Sequence, residues 1–426
     1  MPARRGSRAS YGRPRRLPAG RALAASTTVA TLTLVTGACQ PGLVRTEPPR
    51  WSSDLATPAL TADSTHVDTI ARGVLHRFYR VDAGPWAIHV LDVDRAACWT
   101  ATAVKGASGA TGRLRTSALA ASASASGVGT PAAPRVAGGV NADFFRFTPS
   151  GVPVGAMIHE GRLITGPVDR PVFALDSAGR PWLGTLHTEG RATAGAETLA
   201  ISGWNRHVMT GLALFDGSYG AVVDTASGTV RVTLEGARGG SVTAIDTSAG
   251  PTAIPRGGTV LVLGASAPAD ARARLLLLAR ARGRFDVRVR LVPLHPAEAV
   301  GGFPLLVRDS SEIAGLDSAG AANFAPVRHP RTLVALGAGG RRLQLITVDG
   351  RQPNHSAGMT LREAAQVALS LGATEALNLD GGGSTAMVVA RRAKGTWRLE
   401  VVNRPSDPQG ERPVGNALVI RNCCDC

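Results

Sequence analysis

The densest chemistry in this chain lies in one short run, Asp380, Gly381, Gly382, Gly383, Ser384 and Thr385. Consecutive glycines admit positive φ and let backbone approach a ligand closely, so their N–H groups can converge on an oxyanion. Ser384 and Thr385 add hydroxyl donors, and Asp380 sets a carboxylate beside them. An Asp-Gly pair is also an ordinary hairpin signal, but three glycines and two hydroxyl residues exceed what a hairpin needs. The run is not a Walker loop, which requires a lysine. We expect Gly381, Gly382, Gly383, Ser384 and Thr385 to hold an anionic group and Asp380 to act beside it.

Other polar residues stand at the ends of apolar runs. Arg331, in HPRT (329–332), is a candidate anion clamp because a guanidinium grips phosphate or carboxylate with two parallel hydrogen bonds. RVAGGVNADFF (135–145) reads as a buried strand ending in Asn141 and Asp143. In VDGRQPNHSAGMTLREAA (348–365), Asp349 and Ser356 are site candidates beside His355, although Asp349-Gly350 also suits a turn. Thr360 and Glu363 have the spacing of a capping box, which makes Glu363 structural. VVNRPSDPQGERPVGNALVI (401–420) carries Asn403, Arg404, Asp407 and Arg412 in a Pro- and Gly-broken loop between apolar strands, a candidate site wall or a solvated loop. NHSAG and DGSYG lack the first glycine of a nucleophile elbow. HEGRL is not the HExxH of a zincin.

The surrounding pattern supplies the elements that must position these groups. WAIHVLDVD (86–94) and RFDVRVRLV (284–292) alternate as strands, and short apolar runs punctuated by Gly, Pro, Asp and Asn make residues 150–300 β-rich. Helices are expected at 115–126, 269–282 and 360–372, the last amphipathic and closed by Gly372. RTLVALGAGGRRLQLITVDG reads as two strands around Gly337 to Gly340, and ALNLDGGGSTAMVVA as strand, turn, strand. No linker interrupts 66–422. The expected fold class is α+β, a single mixed, β-rich α/β domain with a few helices.

The 426 residues carry a formal charge of +16, which invites a nucleic-acid reading. Lys105 and Lys394 are the only lysines, seven arginines sit in an acid-free leader, and no basic patch interleaved with aromatics appears. Nucleic acid is therefore not an expected partner. Residues 1–38 read as an export signal: arginines, then an apolar 22–38 segment ending in small residues before Cys39. That segment is short beside the roughly 20 residues of a membrane helix. VTGAC resembles a bacterial lipobox with Thr36 at the usual leucine position, so a lipid anchor on Cys39 and a plain cleaved signal both remain open. Residues 39–65, rich in Pro, Ser and Thr, read as a tether. The chain is expected to be exported to the periplasm, cell surface or medium. Cys98 with Cys423, Cys424 and Cys426 allows up to two disulfides there; we expect one to tie the 423–426 tail to Cys98.

Together, GGVNADFF, GGFPLLVRDS, HPRTLVALG, TVDGRQPNHSAGMTLREAAQVALSLGATEALNLDGGGSTAM and VVNRPSDPQGERPVGNALVI resemble the phosphodiester glycosidase family, in the family's order. The likeness covers most of 135–420, loosely over 165–295. It implies one mixed α/β domain, a hydrolase that cleaves an α-linked, N-acetylglucosamine-like sugar-1-phosphodiester into sugar and phosphomonoester, with no cofactor. The departing phosphate ester is already a stable anion, so it needs charge stabilisation more than a proton. Arg331 and the glycine loop would supply this, while Asp380, and Asp143 where such enzymes often carry Gly, would act on C1 or on water. An envelope or extracellular phosphodiester-linked glycan is the expected partner. Two other readings stay open: a non-catalytic phosphoglycan-binding module, and a phosphodiesterase cutting P–O with a divalent metal on Asp380 and Asp349 or Asp143.

Overall fold

The structure, a computed structural model, describes residues 60–106, 109–125 and 133–423. The signal, Cys39, most of the tether and the last three tail residues lie outside the described residues. Two sheets packed face to face make the framework. The larger has eight strands in the order Ser64–Ala71, Val74–Val81, Trp86–Asp94, Arg342–Val348, Arg331–Gly337, Glu375–Asn378, Leu305–Arg308 and Ser311–Glu312. The smaller has five: Thr396–Val401, Met387–Ala393, Val136–Asn141, Ala417–Asn422 and Trp99–Val104.

Burial explains why the central strands are apolar at nearly every position. One face of the large sheet presents Leu91, Val93, Val334, Leu343, Leu345 and Leu377 to Val140, Met387, Val389, Leu418 and Ile420 of the small sheet. The opposite face carries Ile88, Val90, Leu333, Ala335 and Ile346 against the helix Leu361–Ser370. A strand covered on both faces loses the alternation of a half-exposed one. That helix starts where its sequence says: the Thr360 hydroxyl accepts from the Glu363 amide at 3.1 Å, and the Glu363 carboxylate accepts from the Thr360 amide at 2.9 Å. Leu361, Ala364, Ala365 and Ala368 face the sheet, and Gly372 turns the chain away at φ +84°.

The expected strands and helices at 86–94, 284–292, 331–348, 116–125, 269–282 and 361–370 are present. The fold departs from the expected mixed α/β domain in being mostly β, with a closed seven-stranded barrel between residues 187 and 292. Its strands run in the order His187–Ala194, Glu197–Trp204, Leu212–Asp216, Thr259–Leu263, Val230–Gly236, Gly239–Asp246 and Arg284–Val292, which pairs back to the first. The helix Ala269–Arg282 packs Leu275, Leu278 and Ala279 against Val230, Leu261 and Phe285 of this barrel. No helix among the described residues is long and apolar enough to cross a membrane. Cys98 is disulfide-bonded, and the Cys423 amide donates to the Cys98 carbonyl at 2.9 Å, so the described end of the tail lies against it.

Strand register determines where polar residues gather. Arg331 pairs with Val348, Asn141 with Ala417, and Met387 with Val140. The start of 331–337, the ends of 342–348, 375–378 and 136–141, and the start of 417–422 therefore share one rim of the sandwich.

Candidate active site

The glycine run leaves the large sheet at Asn378 and enters the small sheet at Met387. Its flanking strands belong to different sheets and do not pair, so it is a crossover at the rim and not a hairpin turn. The Asp380 amide donates to the Ala142 carbonyl at 2.8 Å, and the Gly382 amide to the Pro330 carbonyl at 2.9 Å. Gly382 has φ +62°, and a Cβ on Gly383 would lie 2.1 Å from Asp407 Oδ1 and 2.2 Å from Arg412 Nη2. Glycine is required at both: at the first for conformation, at the second to admit an ion pair.

The loop opens onto a cavity of about 280 Å³. Asp380, Gly381, Gly382 and Gly383 form one wall, and His329, Arg331, Arg351 and Arg412 add basic groups. Phe144, Asn323 and Phe324 complete the lining. Asp380 is half-buried, and burial pushes its carboxyl up to about 6, against the lowering pull of the Ser384 hydroxyl, Arg412 and the Gly381 amide. Arg412 grips Asp407 with two bonds of 2.7 and 3.0 Å. Arg351 Nη2 lies 3.2 Å from His329 Nδ1, and burial lowers the His329 pKa, which keeps that ring neutral beside the guanidinium.

Several expected ligand contacts are committed elsewhere. Arg331 is buried, and its Nε and Nη2 donate to the carbonyls of Met359 (2.8 Å), Phe324 (2.7 Å) and Val327 (3.1 Å). It reaches the cavity as a fixed positive wall rather than as an open two-pronged clamp. Of the loop amides expected to converge on an oxyanion, Ser384 donates to Gly381 and Thr385 to Gly382, both at 3.2 Å, and Gly382 is bound to Pro330. The Ser384 and Thr385 side chains are buried, the latter accepting from Thr332 Oγ1 at 3.3 Å.

Asn141 braces the loop from inside. Its Nδ2 donates to the Asp380 carbonyl at 2.6 Å, while its Oδ1 accepts from the Ala386 amide at 3.1 Å and Thr332 Oγ1 at 2.9 Å. Asn403 does the same from the other side, donating to Thr385 O at 3.3 Å and Asp349 Oδ1 at 2.9 Å and accepting from the Met387 amide at 2.7 Å. Asp349 is buried and also accepts from His355 Nε2 at 2.8 Å and the Arg404 amide at 3.0 Å; burial raises its pKa over the pull of these bonds. Ser356 is buried and donates to the Asp349 carbonyl at 2.6 Å. The Arg404 side chain lines a different cavity, with Asp349 and Asn403. None of Asn141, Asp349, Ser356, Asn403 or Arg404 lines the cavity at the glycine loop.

Asp143 sits outside that lining, in a chamber where a Cβ on Gly301 would come within 2.7 Å of its Oδ2. Oδ2 accepts from the Gly155 amide at 2.6 Å, and Oδ1 is buried without a hydrogen-bond partner. Burial pushes Asp143 up to about 7; the Gly155 bond, Arg206 and Arg170 pull it down, and the Asp380 charge adds to the rise. The Asp380 charge thus reaches Asp143, and burial raises both carboxyls above the usual carboxylate range.

Arg351, His329, Phe144, Asn323 and Phe324 are site residues that the sequence reading misses. His329 and Arg351 carry a usable signal, since one stands two residues before Arg331 and the other two after Asp349.

The segment that carries the loop is the one with a recognisable likeness. Residues 231–421 match the family model of phosphodiester glycosidases. Asp380, Arg331, Arg351 and Arg412 lie inside the matched segment; Asn141 and Asp143 precede it. The fold is similar to that of a hypothetical protein from Synechocystis, at 23% identity and a TM-score of 0.67 over 84% of this chain. The chain spans 64% of that protein's length. A protein of Burkholderia pseudomallei named as exported is 26% identical, with a TM-score of 0.59 over 79% of this chain and 74% of its own. The auto-inhibited catalytic domain of zebrafish N-acetylglucosamine-1-phosphodiester alpha-N-acetylglucosaminidase is 15% identical, with a TM-score of 0.42 over 84% of this chain and 87% of its own. No curated protein matches.

Proposed function

We propose that the chain is an exported hydrolase that cleaves an α-linked, N-acetylglucosamine-like sugar-1-phosphodiester between C1 and the phosphate oxygen, in an envelope or extracellular glycan. The observation that carries this is Asp380: a carboxylate with a pKa near 6, presented by a glycine crossover to a cavity with Arg351 and Arg412, inside the segment that matches phosphodiester glycosidases. The phosphate diester is an anion before and after the bond breaks. Guanidinium groups beside it stabilise the charge that gathers on the leaving oxygen, and such preorganised electrostatics is the strongest source of rate acceleration open to this site.

In the reaction the C1–O bond breaks with its electron pair staying on the phosphate oxygen, and the hydroxyl of water ends on C1. Asp380 serves either as the base that takes the water's proton or as the nucleophile that first bonds C1 and is then displaced by water, whose proton passes to the phosphomonoester dianion. Asp143, which lies outside the cavity, is assigned a positioning role: protonated below about pH 7, it adds no second negative charge behind Asp380. In this reading no cofactor takes part, nucleic acid is not a partner, and the membrane is met only if Cys39 carries a lipid.

The test is hydrolysis of α-N-acetylglucosamine-1-phospho-methyl-mannoside in H₂¹⁸O, with and without EDTA, read by mass spectrometry. Label in the free sugar, with an unlabelled phosphomonoester, supports the reading. Label in the phosphate would overturn it in favour of a phosphodiesterase.

A further inference from the structure

The wall that braces the glycine loop has another side. Beyond Asp349 and Asn403 lies a larger cavity, about 510 Å³, inside the roughly 300–1,000 Å³ typical of small-molecule sites. The loop cavity, at about 280 Å³, holds little more than a reacting centre. Four of the chain's nine histidines, His66, His76, His89 and His355, line the larger one.

Its chemistry is mixed, and its charges are matched within the wall. Arg391 pairs with Asp68 at 2.9 Å and approaches Glu400 at 3.8 Å, and His355 bonds Asp349 at 2.8 Å. His76 Nε2 lies 3.2 Å from His89 Nδ1, and His76 Nδ1 is buried without a hydrogen bond, 3.5 Å from Asp68 Oδ2. Burial depresses both imidazoles, His89 to about 3, so they are neutral; with His76 Nε2 and His89 Nδ1 spent on each other, His89 Nε2 is left to donate or accept. Among the described residues no three His, Cys, Asp or Glu side chains are grouped to hold a metal ion. Phe78 adds an apolar face to the lining.

We propose that this histidine-lined cavity is a saccharide subsite, which binds a phosphate-free sugar of the glycan whose phosphodiester lies at the Asp380 loop. A neutral polyol matches a wall of alternating donors and acceptors with little surplus charge, because each hydroxyl both donates and accepts. The sugar's C–H face rests on Phe78. Asn403 and Asp349 line this cavity, and Asn403 also holds the Thr385 carbonyl at the end of the glycine loop, so one buried hydrogen-bonded wall serves both the loop and the subsite. The link between the two sites rests on the glycosidase reading; sugar binding in the cavity does not.

The experiment is saturation-transfer NMR on the full chain, with neutral, phosphate-free di- to tetrasaccharides covering N-acetylhexosamines, hexoses and heptoses. At least one is expected to bind, with affinity at least tenfold weaker in Phe78→Ala and in Glu400→Gln, both checked for folding by circular dichroism, and unchanged in Asp380→Asn. Turnover of the small methyl-mannoside substrate by Phe78→Ala is expected to equal wild type. The proposal fails if no saccharide binds, if both cavity variants bind like wild type, or if the protein retains stoichiometric zinc in this cavity. Turnover of the small substrate without saccharide binding removes the subsite alone. Saccharide binding without any phosphodiester cleavage removes the glycosidase reading and leaves the subsite standing.

Discussion

Replacing Asn141 separates a brace from a ligand contact. The side chain is fully buried, and its hydrogen bonds reach the Asp380 carbonyl, the Ala386 amide and the Thr332 hydroxyl. Asn141→Ala leaves the Asp380 carbonyl and the Ala386 amide without this partner, while Thr332 keeps its contact with Thr385. Each buried group so orphaned costs about 1–3 kcal/mol, so we expect a stability loss of about 3–4 kcal/mol in urea unfolding. Because the loop carries Asp380, a displacement of about 1 Å should lower turnover on the order of 100-fold with little change in KM. Asn141→Asp keeps the shape but sets an oxygen against the Asp380 carbonyl; it should recover stability as pH falls and the new carboxyl gains a proton to donate. A loss below about 1 kcal/mol together with a tenfold rise in KM would refute the brace, because it would mean that Asn141 touches substrate.

Asp380→Asn should abolish turnover in single-turnover assays while the fold, checked by circular dichroism, persists. The pH profile of kcat/KM should rise through about pH 6 as Asp380 ionises and fall through about pH 7 as Asp143 does; Asp143→Asn, which mimics the protonated form, should remove the upper limb and keep activity. The native pKa of Asp143 lies above its unfolded value of 3.8, so the native state binds the extra proton and wild-type stability should fall as pH rises from about 4 through 7. The three-unit difference corresponds to about 4 kcal/mol, and chemical denaturation of Asp143→Asn should show that slope flattened. Arg351→Ala, at an exposed position on the cavity, should raise KM for the phosphodiester about tenfold with stability unchanged. Gly383→Ala should displace the Arg412–Asp407 pair and lower kcat/KM by a similar factor.

What the sequence made legible was local. Strands such as Trp86–Asp94 and Arg331–Gly337, the capping box at Thr360 and Glu363, and the end of the last helix at Gly372 follow from period, cap and backbone freedom within a dozen residues. The barrel was not legible, because its closure pairs His187 with Val292 and Val230 with Leu263; alternation identifies a strand but not its distant partner. The same limit shaped the site. A polar residue at a strand end can face a ligand or stitch the structure together: Asn141 and Asn403 tie the two sheets, and Ser356 ties Ala87 to Asp349 within the large one. Arg351 was hidden by the opposite fault, since in an arginine-rich chain one more exposed arginine is marked only by its place two residues after Asp349. What distinguishes the two groups is where their polar atoms are directed. Asn141, Asn403, Ser356 and Thr385 direct theirs to buried backbone or neighbouring side chains. Asp380, Arg351 and Arg412 line the cavity, with charges that pair a carboxylate near its pKa against fixed cations. A phosphodiester brings its own negative charge. A cavity lined by three guanidinium groups, of which among the described residues only Arg412 is paired with a carboxylate, Asp407, can receive that charge without first neutralising the group that must react.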